Sequence, residues 1–216
     1  LKVYEEKKIN EIFREINREL KTDITVYMLG GGALIRHGFK VATKDIDLVT
    51  DNHHQIEQLT DVLKDLGYVI VTDLEREYLD LGANVILERE DSPRFDIFFK
   101  IVCKKLMLSK DIKDRAIEYI VLSNLNVKIL SKEDIFLFKV VATRERDMED
   151  ASLVVESDVD WYTILEETEK QNKYSERKWF PMLYQAIEEL ETKYHQRCPV
   201  KDEIYSRALK DLESKA

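Results

Sequence analysis

The amino-acid sequence predicts an α+β fold: an N-terminal part over residues 1–130 that mixes short strands with helices, then a helical C-terminal part over 131–216. Three observations carry this. Up to residue 130, short β-branched and aromatic runs alternate with segments of three- and four-residue apolar spacing. From Ser131 onward the apolar period changes to about 3.6 residues and stays there. Of the six glycines in the chain, four (Gly30, Gly31, Gly32 and Gly38) fall within nine residues. A sequence that otherwise avoids glycine has concentrated it where the backbone has a special task.

Taken in order, Ile9, Ile12, Phe13, Ile16 and Leu20 predict an opening helix, with charges between the apolar positions. Thr25–Leu29 is a strand ending at the glycines, which then form a turn, and Ala33–His37 is a short helix after it. Asp45–Thr50 is the next strand. Asn52 caps a helix to Leu66, with Gly67 as its stop. Tyr68–Val71, Val85–Glu88 and Phe95–Phe99 are strands, the last two joined through the turn residues Asp91, Ser92 and Pro93. A helix over Ser109–Ala116 and strands at Tyr119–Leu122 and Val127–Leu130 complete this part. Helices are expected around Ile135–Ala142, Trp161–Gln171, Ser175–Tyr194 and Asp202–Lys215.

The composition narrows the function classes. With 44% hydrophobic and 36% charged residues the chain is globular. Its longest apolar runs, such as Ile120–Leu122 and Phe136–Phe138, are too short to span a membrane. The first twenty residues are charged and amphipathic, unlike a signal peptide. Two cysteines, Cys103 and Cys198, build no disulfide framework, so a cytoplasmic setting is expected. A net charge of −9 argues against a chain-wide nucleic-acid footprint.

The chemistry gathers at residues 26–49, where a strand runs through Gly30, Gly31 and Gly32 into a helix and on to a strand carrying Asp45-Ile46-Asp47. Glycines at such a turn let a ligand approach the backbone, and amides at a helix start suit phosphate. Asp45 and Asp47, two apart on a strand, present their carboxylates to one face, where they repel unless a cation sits between them. Hard oxygen donors beside a phosphate cradle suit Mg²⁺ or Mn²⁺. A P-loop is excluded because Ala33 and Leu34 follow Gly32, and a dinucleotide fingerprint because position 35 is Ile35. Asp96, alone in the apolar run Phe95–Phe99, is either a third metal ligand or an edge-strand residue facing water or paired to Arg94.

Further on, Lys139 lies in an apolar helical run with no acid before Glu145; it either snorkels or faces a polar site, which a triphosphate would suit. Asp147 and Asp150, three apart, share a helix face, as an exposed salt-bridged helix would also have them. Six basic residues between Lys100 and Arg115 form a solvated helix or a contact for a phosphate-bearing acceptor. His37, His53 and His54 show no metal-ligand spacing. Trp161, Tyr162, Trp179, Phe180 and Tyr184 are core or a partner surface.

At these residues the sequence resembles the nucleotidyltransferase superfamily related to DNA polymerase β. Its pattern is an apolar residue, a glycine pair, a gap and Asp-apolar-Asp, matched by Leu29-Gly30-Gly31, thirteen residues, and Asp45-Ile46-Asp47-Leu48. Asp96 suits the third acid of the pattern. Lys139, Ala142, Arg144, Arg146, Asp147 and Asp150 resemble the helical half of AbiEii-type and related uncharacterised nucleotidyltransferases, some of which are toxins of toxin–antitoxin systems.

The resemblance implies a mixed sheet flanked by helices, with a helical domain beside it, and transfer of a nucleoside monophosphate from an NTP to an acceptor with release of pyrophosphate. Asp45, Asp47 and Asp96 would be the catalytic and metal-binding residues for Mg²⁺ or Mn²⁺, and Asp96 would help deprotonate the acceptor. Gly30, Gly31, Gly32, Lys139 and Asp150 would bind the nucleotide. The acceptor is tRNA or other RNA, a protein or a small molecule, and an antitoxin is a possible partner. The family often has serine as the second residue of the glycine pair; with Gly31 there, phosphate is left to backbone amides. A non-catalytic nucleotide-sensing or partner-binding module is the alternative.

Overall fold

A computed structural model of the protein describes residues 2–72, 82–142, 144–174 and 179–213. They form two compact units, one of residues 1–104 with 108–131 and one of 105–107 with 132–216.

In the first unit, β1 (Tyr4–Glu5) leads into α1 (Glu6–Glu19), β2 (Ile24–Leu29), α2 (Gly30–Arg36), β3 (Ala42–Thr43), β4 (Asp45–Thr50) and α3 (His53–Asp65). Then come β5 (Val69–Ile70), β6 (Val85–Glu88), β7 (Arg94–Phe99) and β8 (Ile101–Val102). β9 (Leu106–Met107) contributes to the other unit, and α4 (Lys110–Arg115), β10 (Ile117–Val121) and β11 (Leu125–Ile129) close the first.

Seven strands make one mixed sheet in the order β10-β11-β2-β4-β7-β6-β5. β11 with β2 and β4 with β7 run parallel, and the other neighbours antiparallel. The predicted mixed sheet flanked by helices is therefore observed. α1 buries Ile9, Ile12, Phe13 and Ile16, the predicted stripe. The Asn52 side chain accepts from the His54 amide at 3.0 Å to cap α3, and Gly67 leaves it with a φ of +86°. Asp91, at the β6–β7 turn, takes a left-handed φ of +55°, which a short polar side chain tolerates. Ser109 caps α4 by accepting from the Ile112 amide at 3.1 Å.

The glycine segment differs from expectation. Gly30, Gly31 and Gly32 do not form a turn ahead of a helix; they are the first three residues of α2 itself. Phe95–Phe99 is no edge strand either, because β7 lies between β4 and β6.

The second unit holds α5 (Lys132–Ala142), α6 (Glu145–Val155), α7 (Trp161–Tyr174), α8 (Trp179–Tyr194) and α9 (Lys201–Glu213). The expected helix starts and ends at Ser175 and Lys215 lie outside the described residues. Trp179 and Phe180 are core, whereas Tyr162 is exposed. Gln171 on α7 is buried and its side-chain amide imitates a strand neighbour. It accepts from the Met107 amide and donates to the Met107 carbonyl, both at 2.9 Å. Among the described residues no helix is long and apolar enough to cross a membrane.

Candidate active site

β4 and β7 run side by side in parallel register, with Asp45 opposite Arg94, Ile46 opposite Phe95, and Asp47 opposite Asp96. Side chains alternate along a strand, so Asp45, Asp47, Arg94 and Asp96 share one face of the sheet. Ile46 and Phe95, both fully buried, face the core on the other.

The glycines belong to this block. β2 is antiparallel to β4 with Leu29 opposite Asp47, which brings Gly30 against the Asp47 side chain. A Cβ on Gly30 would lie 1.9 Å from Asp47 Oδ2, and the residue holds a φ of +61°. A Cβ on Gly31 would lie 2.2 Å from Thr43 Oγ1, and one on Gly32 2.7 Å from Met28 Sδ. Each glycine is thus matched to a side chain from a neighbouring strand. Thr43 in turn donates to the Asp45 carbonyl at 3.1 Å and to its Oδ1 at 3.4 Å.

Arg94 is the cation of the block. Its Nε and Nη2 donate to the two oxygens of Asp96 at 2.7 Å each, and Nη2 also reaches Asp45 Oδ2 at 3.3 Å. Asp96 is 1% exposed and lies deep in the sheet, so its charge needs this partner. The donor set fits a hard divalent ion in type, in number and in sharing one face. As the side chains are arranged, however, no group of three or more His, Cys, Asp or Glu among the described residues could hold a metal ion. The guanidinium bridges Asp45 and Asp96 instead.

Lys139 and Asp150 lie in the second unit, in a cluster of their own. The Lys139 ammonium is bonded to Asp147 and to Asp150 at 2.8 Å each, tying α5 to α6. Arg144 Nε adds a 2.6 Å bond to Asp147. Burial opposes charge on Lys139 and Asp147 alike, yet the ion pairs outweigh it. Lys139 is raised above the usual lysine value and Asp147 held below the usual carboxylate range. The helix face expected to be either exposed or turned to a triphosphate is therefore a buried charge network.

Residues 7–196 match the model of a family described as nucleotidyltransferase of unknown function (DUF6036). The chain belongs to that family. No curated protein matches the chain. Among solved structures it is similar to a provisionally assigned nucleotidyltransferase from H. pylori, at 12% identity over 97% of this chain and 95% of the other, with a TM-score of 0.40.

For this member of the family, of the site residues expected in the first unit, Asp45, Asp47 and Asp96 come together on β4 and β7 with Gly30 against Asp47, while Gly31 and Gly32 face Thr43 and Met28 instead of the acids. Thr43 escaped the sequence reading, whereas Arg94 entered it as an alternative partner for Asp96, and that pairing is observed. Thr43 carried no signal. Arg94 did: two positions before Asp96 on a strand puts it on the same face, as the Asp45–Asp47 spacing does. The basic stretch is largely paired within its surroundings, with Lys113 bonded to Asp51 at 2.7 Å, Lys110 paired with Asp114, and Lys105 donating to the Val141 carbonyl at 2.9 Å. His53 and His54 are exposed at the start of α3.

Proposed function

We propose that this nucleotidyltransferase is metal-dependent and transfers a nucleoside monophosphate from an NTP to an acceptor hydroxyl. One observation carries the reading: Asp45, Asp47 and Asp96 share one sheet face beside Gly30, whose missing Cβ makes room for Asp47. In the reaction, the acceptor oxygen bonds to the α-phosphorus as the α–β bridging P–O bond breaks. Pyrophosphate leaves, and the acceptor proton passes to a carboxylate, for which Asp96 is the candidate. Asp45, Asp47 and Asp96 would hold Mg²⁺ or Mn²⁺, which when bound supplies positive charge to a phosphate-rich transition state. α2 opens on Gly30, and the first amides of a helix, which lack partners within it, would suit phosphate beside these acids. Lys139 and Asp150 are assigned first to bracing α5 against α6, since the ammonium is bonded to two carboxylates. A toxin role with an antitoxin partner rests only on the resemblance around Lys139–Asp150.

A non-catalytic nucleotide-binding module is favoured by one observation, the Arg94 fork that takes both oxygens of Asp96. The test is the melting temperature of wild type and Asp45→Asn/Asp47→Asn with each NTP, with and without Mg²⁺ or Mn²⁺, together with pyrophosphate release. A ligand that binds only the native state raises the midpoint by mass action. The proposal expects a metal-dependent shift that the double variant loses. Binding without pyrophosphate release with any acceptor supports the module, and no shift with any NTP overturns the nucleotide site.

A further inference from the structure

The β4–β7 block carries three acids and one base, and the base is enclosed. The side chains of Arg94 and Asp96 are 15% and 1% exposed. A forked guanidinium–carboxylate contact is among the strongest charged pairs a protein makes. It also engages the carboxylate oxygens that a hard cation, or an acceptor proton, would need. In this geometry a divalent ion brought to Asp96 would have to share the carboxylate with a second positive charge, against which it is repelled.

We propose that Arg94 is a resident counter-cation that a divalent ion must displace from Asp96. In the structure it neutralises Asp96 at 2.7 Å and leans on Asp45 at 3.3 Å, and so keeps these two carboxylates compatible on one face. Ion binding then exchanges one cation for another instead of filling a bare acidic site. Arg94 is a positioning residue: it acts by deciding when Asp96 is released. The proposal rests on the reading of Asp45, Asp47 and Asp96 as the ion-binding group.

The experiment has two arms, neither of which reads activity. In the first, Mn²⁺ alone is titrated into wild type, Arg94→Lys and Arg94→Met, with free Mn²⁺ measured by electron paramagnetic resonance. Lysine keeps the charge but cannot fork, so it holds Asp96 less firmly. Arg94→Lys is expected to bind Mn²⁺ about tenfold more tightly than wild type, the worth of one charge-assisted hydrogen bond. A purely electrostatic or purely structural Arg94 would leave that affinity unchanged. Arg94→Met removes the guanidinium from Asp96 and Asp45 and can fail to fold; Arg94→Lys carries the test in that case.

In the second arm, the Arg94 Nε–H resonance, identified by its loss in Arg94→Lys, is followed in wild type as Mg²⁺ is added. Exchange predicts that it moves as the site saturates. Equal Mn²⁺ affinities together with an unmoved resonance at saturating Mg²⁺ overturn the exchange and leave the ion site standing. Failure of all folded variants to bind Mn²⁺ overturns the ion-binding reading itself, and the exchange with it.

Discussion

Gly30→Ala should be far more damaging than a glycine substitution in a short surface helix ordinarily is. The new Cβ would sit 1.9 Å from Asp47 Oδ2, 2.8 Å from its Cγ and 3.3 Å from its Cβ. Rotating the carboxylate relieves only the first of these, so β4 and α2 must separate or strain. Overpacking of this kind costs about 1–3 kcal/mol. The φ of +61° adds about 1 kcal/mol for an L-residue in the left-handed region. A loss of about 3 kcal/mol lowers the melting temperature of a chain this long by about 6–12 °C. Gly38→Ala is the control, since Gly38 has a φ of +80° but nothing within 4 Å of the added Cβ, leaving only the backbone cost. The assay is thermal unfolding followed by circular dichroism, repeated in an Asp47→Ala background. There the two tightest contacts are gone and the nearest Asp47 atom is Cβ at 3.3 Å, so about 2 kcal/mol of the Gly30→Ala penalty should vanish as a coupling energy. The reasoning is refuted if Gly30→Ala costs no more than Gly38→Ala, or if its cost is the same with and without the Asp47 carboxylate.

Other outcomes follow from the charge networks and the thiols. Lys139→Met leaves Asp147 and Asp150 buried without their shared ammonium and should cost about 3–5 kcal/mol in denaturant unfolding; an unchanged midpoint would contradict the buried network. Because the folded Asp147 carboxyl is held below its usual range, its contribution is full above the unfolded value of about pH 4 and lost as pH falls through the folded one. Asp147→Asn should therefore flatten the stability–pH curve on the acid side, and an equally steep acid limb would refute the assignment. Lys139 is the mirror case, raised in the fold, so its contribution is full below about pH 10 and fades as pH climbs through the folded value. Burial pushes the Cys198 thiol up to about 11. At pH 8 only about one molecule in a thousand is thiolate there, and labelling by a disulfide reagent should be slow until the chain unfolds. Native-state labelling of Cys198 as fast as in denaturant would refute its burial.

Periodic apolar residues made most of the fold legible. Ile9, Ile12, Phe13 and Ile16 announce α1, and the switch of period at Ser131 announces the helical unit. Two-residue strands such as β1, β3, β8 and β9 are too short to show any period, and they went unread. The candidate site divides along the same line. The pairing of Asp45 with Asp47 is local and visible, because strand alternation alone puts both on one face. The reasons for Gly30 and Gly31 are not local. They lie in the side chains of Asp47 and Thr43, brought up by the fold in a way that no spacing reveals, whereas Gly32 faces Met28, four residues before it. Lys139 shows the limit from the other side. An apolar helical run with one lysine reads as a residue awaiting a ligand, when its ligands are carboxylates from the helix that follows.

The carboxamide of Gln171, gripping both backbone groups of Met107, has a consequence for how the protein is made. Residues 105–107 leave the ribosome as part of a sheet-forming stretch, sixty-four positions before the side chain that completes their hydrogen bonds. Through that interval the first unit can gather its last two strands, β10 and β11, while Met107 is satisfied by water. The helical unit cannot close until α7 has emerged. A fragment beginning at residue 132 would carry Gln171 with its carbonyl unsatisfied and its NH2 bonded only to Glu167, so the second unit should be less stable as a separately synthesised piece and should regain stability when the peptide around Met107 is supplied in trans.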